Sequence, residues 1–440
     1  MIVTEQVPRL ILFPATSSVN EKNHLMVGGC DTVDLVTEFG TPLYVFDESG
    51  LRNKCAEFKR EFTRYYLETT VVYAAKAFLD KFFAKLLKEE EIGLDVASIG
   101  EASIARSVEY PLGKAYFHGN NKSVEELKLA LQWGIGRIVV DNFYELTMLN
   151  QIAREMHCKP DILLRLTPGV DPHTHKYLST GIIDSKFGFP LIYGTEAVSR
   201  ALSLSNVNLV GLHCHIGSSI FDINPYIEAI NNMLNFAVQM KQKYGFILKE
   251  FDIGGGFAVQ YEMQIPAPPL SAYAQAIGTR IIAKCYESNI ALPQLIIEPG
   301  RSIVAKSGIA LYTVGAIKDI PDVRTYACVD GGMGDNIRPA IYGSKYEALL
   351  ANKVAAPDVE KYTIAGKFCE SGDILIQDIM LPQLTSGDTL AVPVCGAYSL
   401  PMASNYNASL KPAIVSVKDG EASLIRRRET FADLVTTDLV

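Results

Sequence analysis

From about residue 71 to residue 297, short apolar runs rich in β-branched residues alternate with longer stretches whose apolar positions recur at helical spacing. The runs Val71–Ala75, Gly93–Ala97, Ala115–His118, Arg137–Val140, Ile162–Leu166, Leu209–His213, Phe251–Ile253 and Leu295–Ile297 predict strands. The intervening stretches Asp80–Glu90, Glu101–Glu109, Ser123–Gln132, Tyr144–Glu155, Thr195–Leu204, Ile223–Tyr244 and Tyr273–Glu287 predict helices. Eightfold alternation of this kind is the pattern of a TIM-like (β/α)8 barrel with parallel strands. Past residue 308 the pattern changes to short extended runs cut by Gly, Pro and Asp: Leu311–Ile317, Thr325–Val329, Tyr362–Ala365, Thr389–Val394, Ala413–Lys418 and Glu421–Arg427. These predict a mostly antiparallel β domain, a sandwich or barrel, joined by a strand near Leu25–Val27. The expected division is a barrel over 48–308 and a β domain made of 1–47 and 309–440.

Composition narrows the function classes. In 440 residues there are 41 Lys+Arg and 49 Asp+Glu, a net charge of −8, which argues against a nucleic-acid binder that needs a basic face. No window of 18 uncharged apolar residues occurs, so no membrane span is expected. The 8 cysteines are irregularly spaced and form no CxxC, as in a cytoplasmic protein with reduced thiols. No metal-ligand array stands out, and the close histidine pairs are His173/His175 and His213/His215.

Residues able to do chemistry cluster at the ends of the predicted barrel strands, where a barrel builds its reactive face: Lys76, Asp95, His118, His215, Gly254–Gly256 and Glu298. Lys76 lies in Val-Val-Tyr-Ala-Ala-Lys-Ala, the least polar setting of any lysine here, and desolvation would favour a neutral, nucleophilic amine. A lysine snorkelling from a frayed strand end would look the same. The triplet Gly254-Gly-Gly256 offers backbone N–H groups to an anion, or is simply a tight turn; its spacing is not the dinucleotide fingerprint. In Glu298-Pro-Gly-Arg301 the guanidinium suits a phosphate or carboxylate and the acid suits a pyridinium nitrogen, against a surface ion pair at a helix start. His213 and His215 share one face of an extended segment, where an imidazole serves as ligand, base, ring-stacking plate or structural group. The β region adds Cys369 and Glu370 beside a Gly turn, Arg338 and Tyr342 four apart, and a polar-aromatic loop around Tyr398. None of these last is diagnostic alone.

Together the segments from Thr41-Pro-Leu-Tyr-Val-Phe-Asp47 to Ser404-Asn-Tyr-Asn407 resemble the fold-type III decarboxylases that use pyridoxal 5′-phosphate. Tyr73–Ala77, His215–Ser218, Gly254–Gly256 and Glu298–Arg301 are similar to the wider family. Asp171–Gly181, Asp184–Gly188, Arg338–Tyr342 and Cys369–Asp373 resemble its diaminopimelate-specific branch. The resemblance implies a homodimeric lyase that converts meso-2,6-diaminopimelate to L-lysine and CO2. It implies that Lys76 holds the cofactor as a Schiff base, Glu298 pairs with the pyridine nitrogen and His215 stacks on the ring. Ser218, Gly254, Gly255, Gly256 and the backbone around Gly300 would hold the phosphate, with Asp95, Arg301 and Tyr398 also at the cofactor. Arg301, Arg338 and Tyr342 would take the substrate's distal carboxylate and Glu370 its ammonium, with Tyr398 close by. Cys369, reaching in from a second subunit, would donate the proton. No metal is implied. Phe78 and Ser399 depart from commoner residues of the family at positions with no catalytic role. The loop from Asp171 to Phe187 has the polar composition of a lid over bound substrate. The competing readings are a related decarboxylase of ornithine, lysine or a carboxylated polyamine precursor, an amino-acid racemase, and a decayed relative that only binds.

Overall fold

The computed structural model describes residues 7–171 and 185–439. The His173/His175 pair lies outside them, as do most of the expected lid, all of the Asp171–Gly181 motif but Asp171, and Asp184 of the Asp184–Gly188 motif. Contacts divide the chain into two compact units: Cys55–Ala258 with Ala267–Gly300, and Met1–Lys54 with Val259–Pro266 and Arg301–Val440. The division falls inside the helix Glu48–Tyr65 and directly after Gly300, and it gives an eight-residue piece of the barrel sequence to the β unit.

The first-named unit is a closed barrel. Its strands are β1 (Thr69–Ala74), β2 (Gly93–Val96), β3 (Ala115–Phe117), β4 (Arg137–Val140), β5 (Asp161–Thr167), β6 (Asn208–His213), β7 (Glu250–Asp252) and β8 (Gln294–Ile297). Each pairs in parallel with the next, and β8 returns to β1 through Ile296 opposite Thr70. Val72, Tyr116, Val139, Leu163, Val210 and Ile296, from six different strands, form one buried cluster, the layered filling that such a barrel needs. Polar caps start the helices at the strand ends. Asp80, Ser98, Ser123 and Asn142 each accept a hydrogen bond from a backbone N–H in the first helical turn that has no partner within the helix.

One buried ion pair in this unit escaped the sequence reading. Lys122 Nζ donates to Glu145 Oε1 (2.7 Å), to the Gly119 carbonyl (2.9 Å) and to the Val139 carbonyl (2.8 Å). The other Glu145 oxygen accepts from Asp141 N (3.0 Å). With all of these groups satisfied the pair is tolerated, but removing one member strands the other in a dry site. Lys122→Met is therefore expected to cost about 3–5 kcal/mol in denaturant unfolding, and a loss under about 1 kcal/mol would contradict this.

In the β unit the 13-residue strand Gly308–Ile320 is the central element. It pairs antiparallel with Leu43–Asp47, Thr389–Val392 and Arg324–Val329. Leu43–Asp47 also pairs in parallel with Ala413–Lys418, and Arg324–Val329 with Glu360–Ala365, so two parallel ladders interrupt the antiparallel pattern. The N-terminal contribution to the large sheet is Leu43–Asp47 rather than Leu25–Val27. The latter pairs with Ser18–Val19 and Cys30–Asp31 in a separate small sheet, while its side chains join the same core as Leu43, Val45, Ile309 and Leu311. All five residues of Leu43–Asp47 are buried, so the strand lacks the alternation that marks a half-exposed one.

Candidate active site

The mouth of the barrel gathers ionisable residues from strands far apart in sequence. Glu298 follows β8 and is almost fully buried. Its Oε1 is 2.7 Å from His118 Nε2, just past β3, and its Oε2 is 3.3 Å from His213 Nε2, at the end of β6. Burial alone would push the Glu298 carboxyl up; the two imidazoles outweigh it and hold the group well below the usual carboxylate range. His213 itself is driven down to about 3, chiefly by burial, so it supports Glu298 as a neutral N–H donor rather than as a cation. Its Nδ1 has no hydrogen-bond partner among the described residues, in keeping with that tautomer. Asp252 at the end of β7 is shifted in the opposite direction, well above its ordinary value, by burial and then by the Glu298 charge. Burial and the shared charge thus push the two neighbouring carboxyl groups in opposite directions.

Lys76 sits in the single turn Ala75–Ala77 after β1, with Nζ 3.9 Å from Asp95 Oδ2. Its chain neighbours are buried, but its own side chain is 48% exposed. The apolar run that suggested a desolvated lysine is the core-facing strand, and the turn directs Lys76 out of it toward an acid. Asp95 is buried, and burial raises its carboxyl against the pull of His118 and Lys76.

The expectation for the glycine triplet also changes. Gly254 N donates to Asp252 Oδ1 (2.8 Å) and Gly255 N to His215 Nδ1 (3.2 Å), so two of the three amides are engaged within the protein. What the glycines provide is close approach. A Cβ on Gly255 would stand 2.1 Å from the Glu298 carbonyl, and one on Gly256 would stand 2.5 Å from the Gly217 carbonyl. Gly300 packs less tightly, a Cβ there standing 3.0 Å from Ala74 Cβ and 3.1 Å from Ala77 Cβ. Ser218 is half-buried in the turn after β6, and the half-buried His215 is held well below its usual range, first by burial and then by the Lys76 charge.

The side chains of His118, His213, Asp252 and Glu298 bring one ligand atom each within 4.8 Å of one another, a constellation that sequence spacing gave no sign of. Both imidazoles already lie against the carboxylate, so the cluster is built to fix a negative charge at Glu298. That charge, the amine of Lys76 and a side-chain-free glycine turn make a donor set that fits a phosphorylated pyridine aldehyde.

In the β unit, Arg301 starts the short helix Arg301–Val304 and Arg338 starts Arg338–Tyr342. Both are buried. Arg338 Nη1 donates to the Tyr346 hydroxyl (2.6 Å) and the Tyr261 hydroxyl (3.1 Å), and Arg301 Nη1 also donates to Tyr261 (3.1 Å). The Arg301 guanidinium lies 4.6 Å from the Tyr398 ring centroid. Arg338 Nε is buried with no hydrogen-bond partner among the described residues. Tyr342 is half-buried. Cys369 and Glu370 are exposed on a loop tied to Asn407 through Cys369 N (2.9 Å) and shaped by Asp373, which accepts from Met333 N and Phe368 N. All eight cysteines are free thiols, and Cys369 is the exposed one. Phe78 is buried against Phe83, and Ser399 is buried near Asn336, so the two departures are packing residues.

Comparison with known proteins agrees with this geometry. Residues 48–305 match the pyridoxal-dependent decarboxylase, pyridoxal binding domain family. The fold and the barrel-mouth donor set therefore define a pyridoxal-dependent decarboxylase. The chain is 45% identical to the diaminopimelate decarboxylase of Bacillus subtilis (strain 168), over 96% of this chain and 97% of that one. It is 40% identical to the enzyme of the same name from Synechocystis sp., over 98% and 93%. Diaminopimelate decarboxylase from M. jannaschii, solved in complex with L-lysine, superposes with a TM-score of 0.91 at 35% identity, covering 97% of this chain and 98% of that chain. The chain belongs to the diaminopimelate decarboxylase family.

Proposed function

We propose that this protein decarboxylates meso-2,6-diaminopimelate to L-lysine and CO2, with pyridoxal 5′-phosphate as cofactor. The observation that carries the substrate assignment is Arg338, which is 5% exposed, fixed by two tyrosine hydroxyls and left with a buried Nε that has no partner among the described residues. A buried guanidinium with open donor capacity selects a carboxylate and repels an ammonium. Diaminopimelate carries a carboxylate at the end remote from the reacting carbon, whereas ornithine carries an amine alone. The bound cofactor supplies a sink for the electron pair released as the Cα–carboxylate bond breaks. Lys76 is the residue that holds it, Glu298 keeps a proton on its ring nitrogen, and His215, Ser218 and the Gly254–Gly256 turn cradle it, with Asp95, Gly300 and Tyr398 completing the site. Arg301, Arg338 and Tyr342 orient the distal carboxylate and Glu370 the distal ammonium. Cys369 Sγ donates a proton to the carbon that lost CO2.

Supplied with meso-diaminopimelate and pyridoxal phosphate, the protein is expected to form L-lysine and CO2 in a one-to-one ratio. Epimerisation of the diacid without CO2, the outcome of a racemase, would overturn the assignment.

Exposed Cys369 and Glu370 suit residues that serve the neighbouring subunit of a homodimer. Mixing Lys76→Ala with Cys369→Ala subunits should then restore roughly a quarter of wild-type activity, since random pairing leaves one intact site in each mixed dimer. No recovery would place both residues in one chain's site. Eight free thiols accord with a reducing, cytoplasmic setting, and among the described residues no helix is long and apolar enough to cross a membrane.

A further inference from the structure

The segment Val259–Pro266 follows the glycine turn in sequence, yet its contacts assign it to the β unit. It delivers Tyr261, a residue with no role in the reading above. The Tyr261 hydroxyl accepts from Arg301 Nη1 and from Arg338 Nη1, each at 3.1 Å. Its ring lies under the Arg338 guanidinium at 5.0 Å and meets the Tyr346 ring edge-on at 5.5 Å and 82°. Glu262 Oε2 approaches Lys345 Nζ at 3.6 Å and ties the same segment to the chain just past Arg338–Tyr342. Two buried guanidiniums repel one another, and a single oxygen that accepts from both is the simplest device for keeping them side by side. Consistent with that setting, the Arg338 and Arg301 charges outweigh burial and lower the Tyr261 phenol.

We propose that Tyr261 is a positioning residue that holds Arg301 and Arg338 together as one carboxylate clamp and thereby sets the preference for a substrate with a distal carboxylate. This rests on the assignment of those arginines to the distal carboxylate. The product L-lysine keeps that carboxylate, whereas cadaverine is the same molecule without it, so the two ligands separate a clamp effect from a general one.

In the cofactor-loaded enzyme, Tyr261→Phe keeps the ring and removes the bridging oxygen. L-lysine should bind about tenfold or more weakly by calorimetry, as expected for lost hydrogen bonds to charged groups, with cadaverine affinity unchanged. KM for meso-diaminopimelate should rise by a similar factor, with kcat within about threefold. Tyr346→Phe, which removes one hydrogen bond to Arg338 and leaves the oxygen shared by the two arginines in place, should weaken lysine by less. Unchanged or tighter lysine binding in Tyr261→Phe, or an equal loss for lysine and cadaverine, would overturn the proposal. The titrations need no turnover, so they judge Tyr261 even if meso-diaminopimelate proves not to be the substrate. That second failure would show separately, as absent CO2 release by the wild type.

Discussion

Lys76→Ala is expected to lower CO2 release from meso-diaminopimelate by about three orders of magnitude or more, equivalent to roughly 4 kcal/mol or more of barrier, while leaving the fold in place. The amine leaves the β1 turn at the barrel mouth, 3.9 Å from Asp95, and is half exposed. The apolar neighbours Ala75 and Ala77 stay buried without it. Truncating a side chain so exposed should change unfolding stability by no more than about 0.5 kcal/mol. The loss therefore belongs to chemistry: an amine is the group on this chain able to bind a carbonyl carbon covalently at that position. Assays of CO2 release beside a melting curve separate the two effects. Activity within tenfold of wild type would mean that Lys76 does not hold the cofactor.

The second large effect is on substrate choice. Arg338→Ala is expected to reduce kcat/KM for meso-diaminopimelate by about 30-fold to several thousand-fold, the range for breaking one side of a buried charged pair, roughly 2–5 kcal/mol. Arg338 offers a planar donor set whose Nη1 is committed to Tyr261 and Tyr346 while Nε has no partner among the described residues. Lysine at this position would keep the charge but lose the fork, so Arg338→Lys should recover only part of the loss. Turnover of ornithine, which has no carboxylate to present, should be unchanged or improved. An equal loss on both substrates would show that Arg338 supports the fold rather than the choice.

The barrel was readable because its strands are buried on both faces and its helices carry clear caps. Each of the eight expected strands lies within a residue or two of an observed one. Leu43–Asp47 was harder to place. Its run of five buried residues gives no alternation, and its partners Gly308–Ile320 and Ala413–Lys418 lie hundreds of residues away. Ile374–Leu381 was missed because a register shift against Glu360–Ala365 and the polar pair Gln377–Asp378 break its periodicity. At the barrel mouth, Lys76, His215 and Glu298 were visible as chemical residues at strand ends. His118 and His213 were visible too, but not as supports of Glu298. They meet it only because closure brings β3, β6 and β8 around one axis, and no spacing in the chain encodes that meeting. Tyr261 lay in a loop past the glycine triplet, and the signal that could have drawn notice was an aromatic residue beside Glu262 close after a phosphate-type turn.

A distal carboxylate is expected to decide what this enzyme decarboxylates. The most direct measurement is kcat/KM for CO2 release from meso-diaminopimelate, L-ornithine and L-lysine, with pyridoxal phosphate present. The expected result is release from the diacid at least about a hundredfold above the other two, with L-lysine as the product, the size of preference one buried arginine–carboxylate pair supports. Comparable release from ornithine or lysine, or none from the diacid, would contradict it.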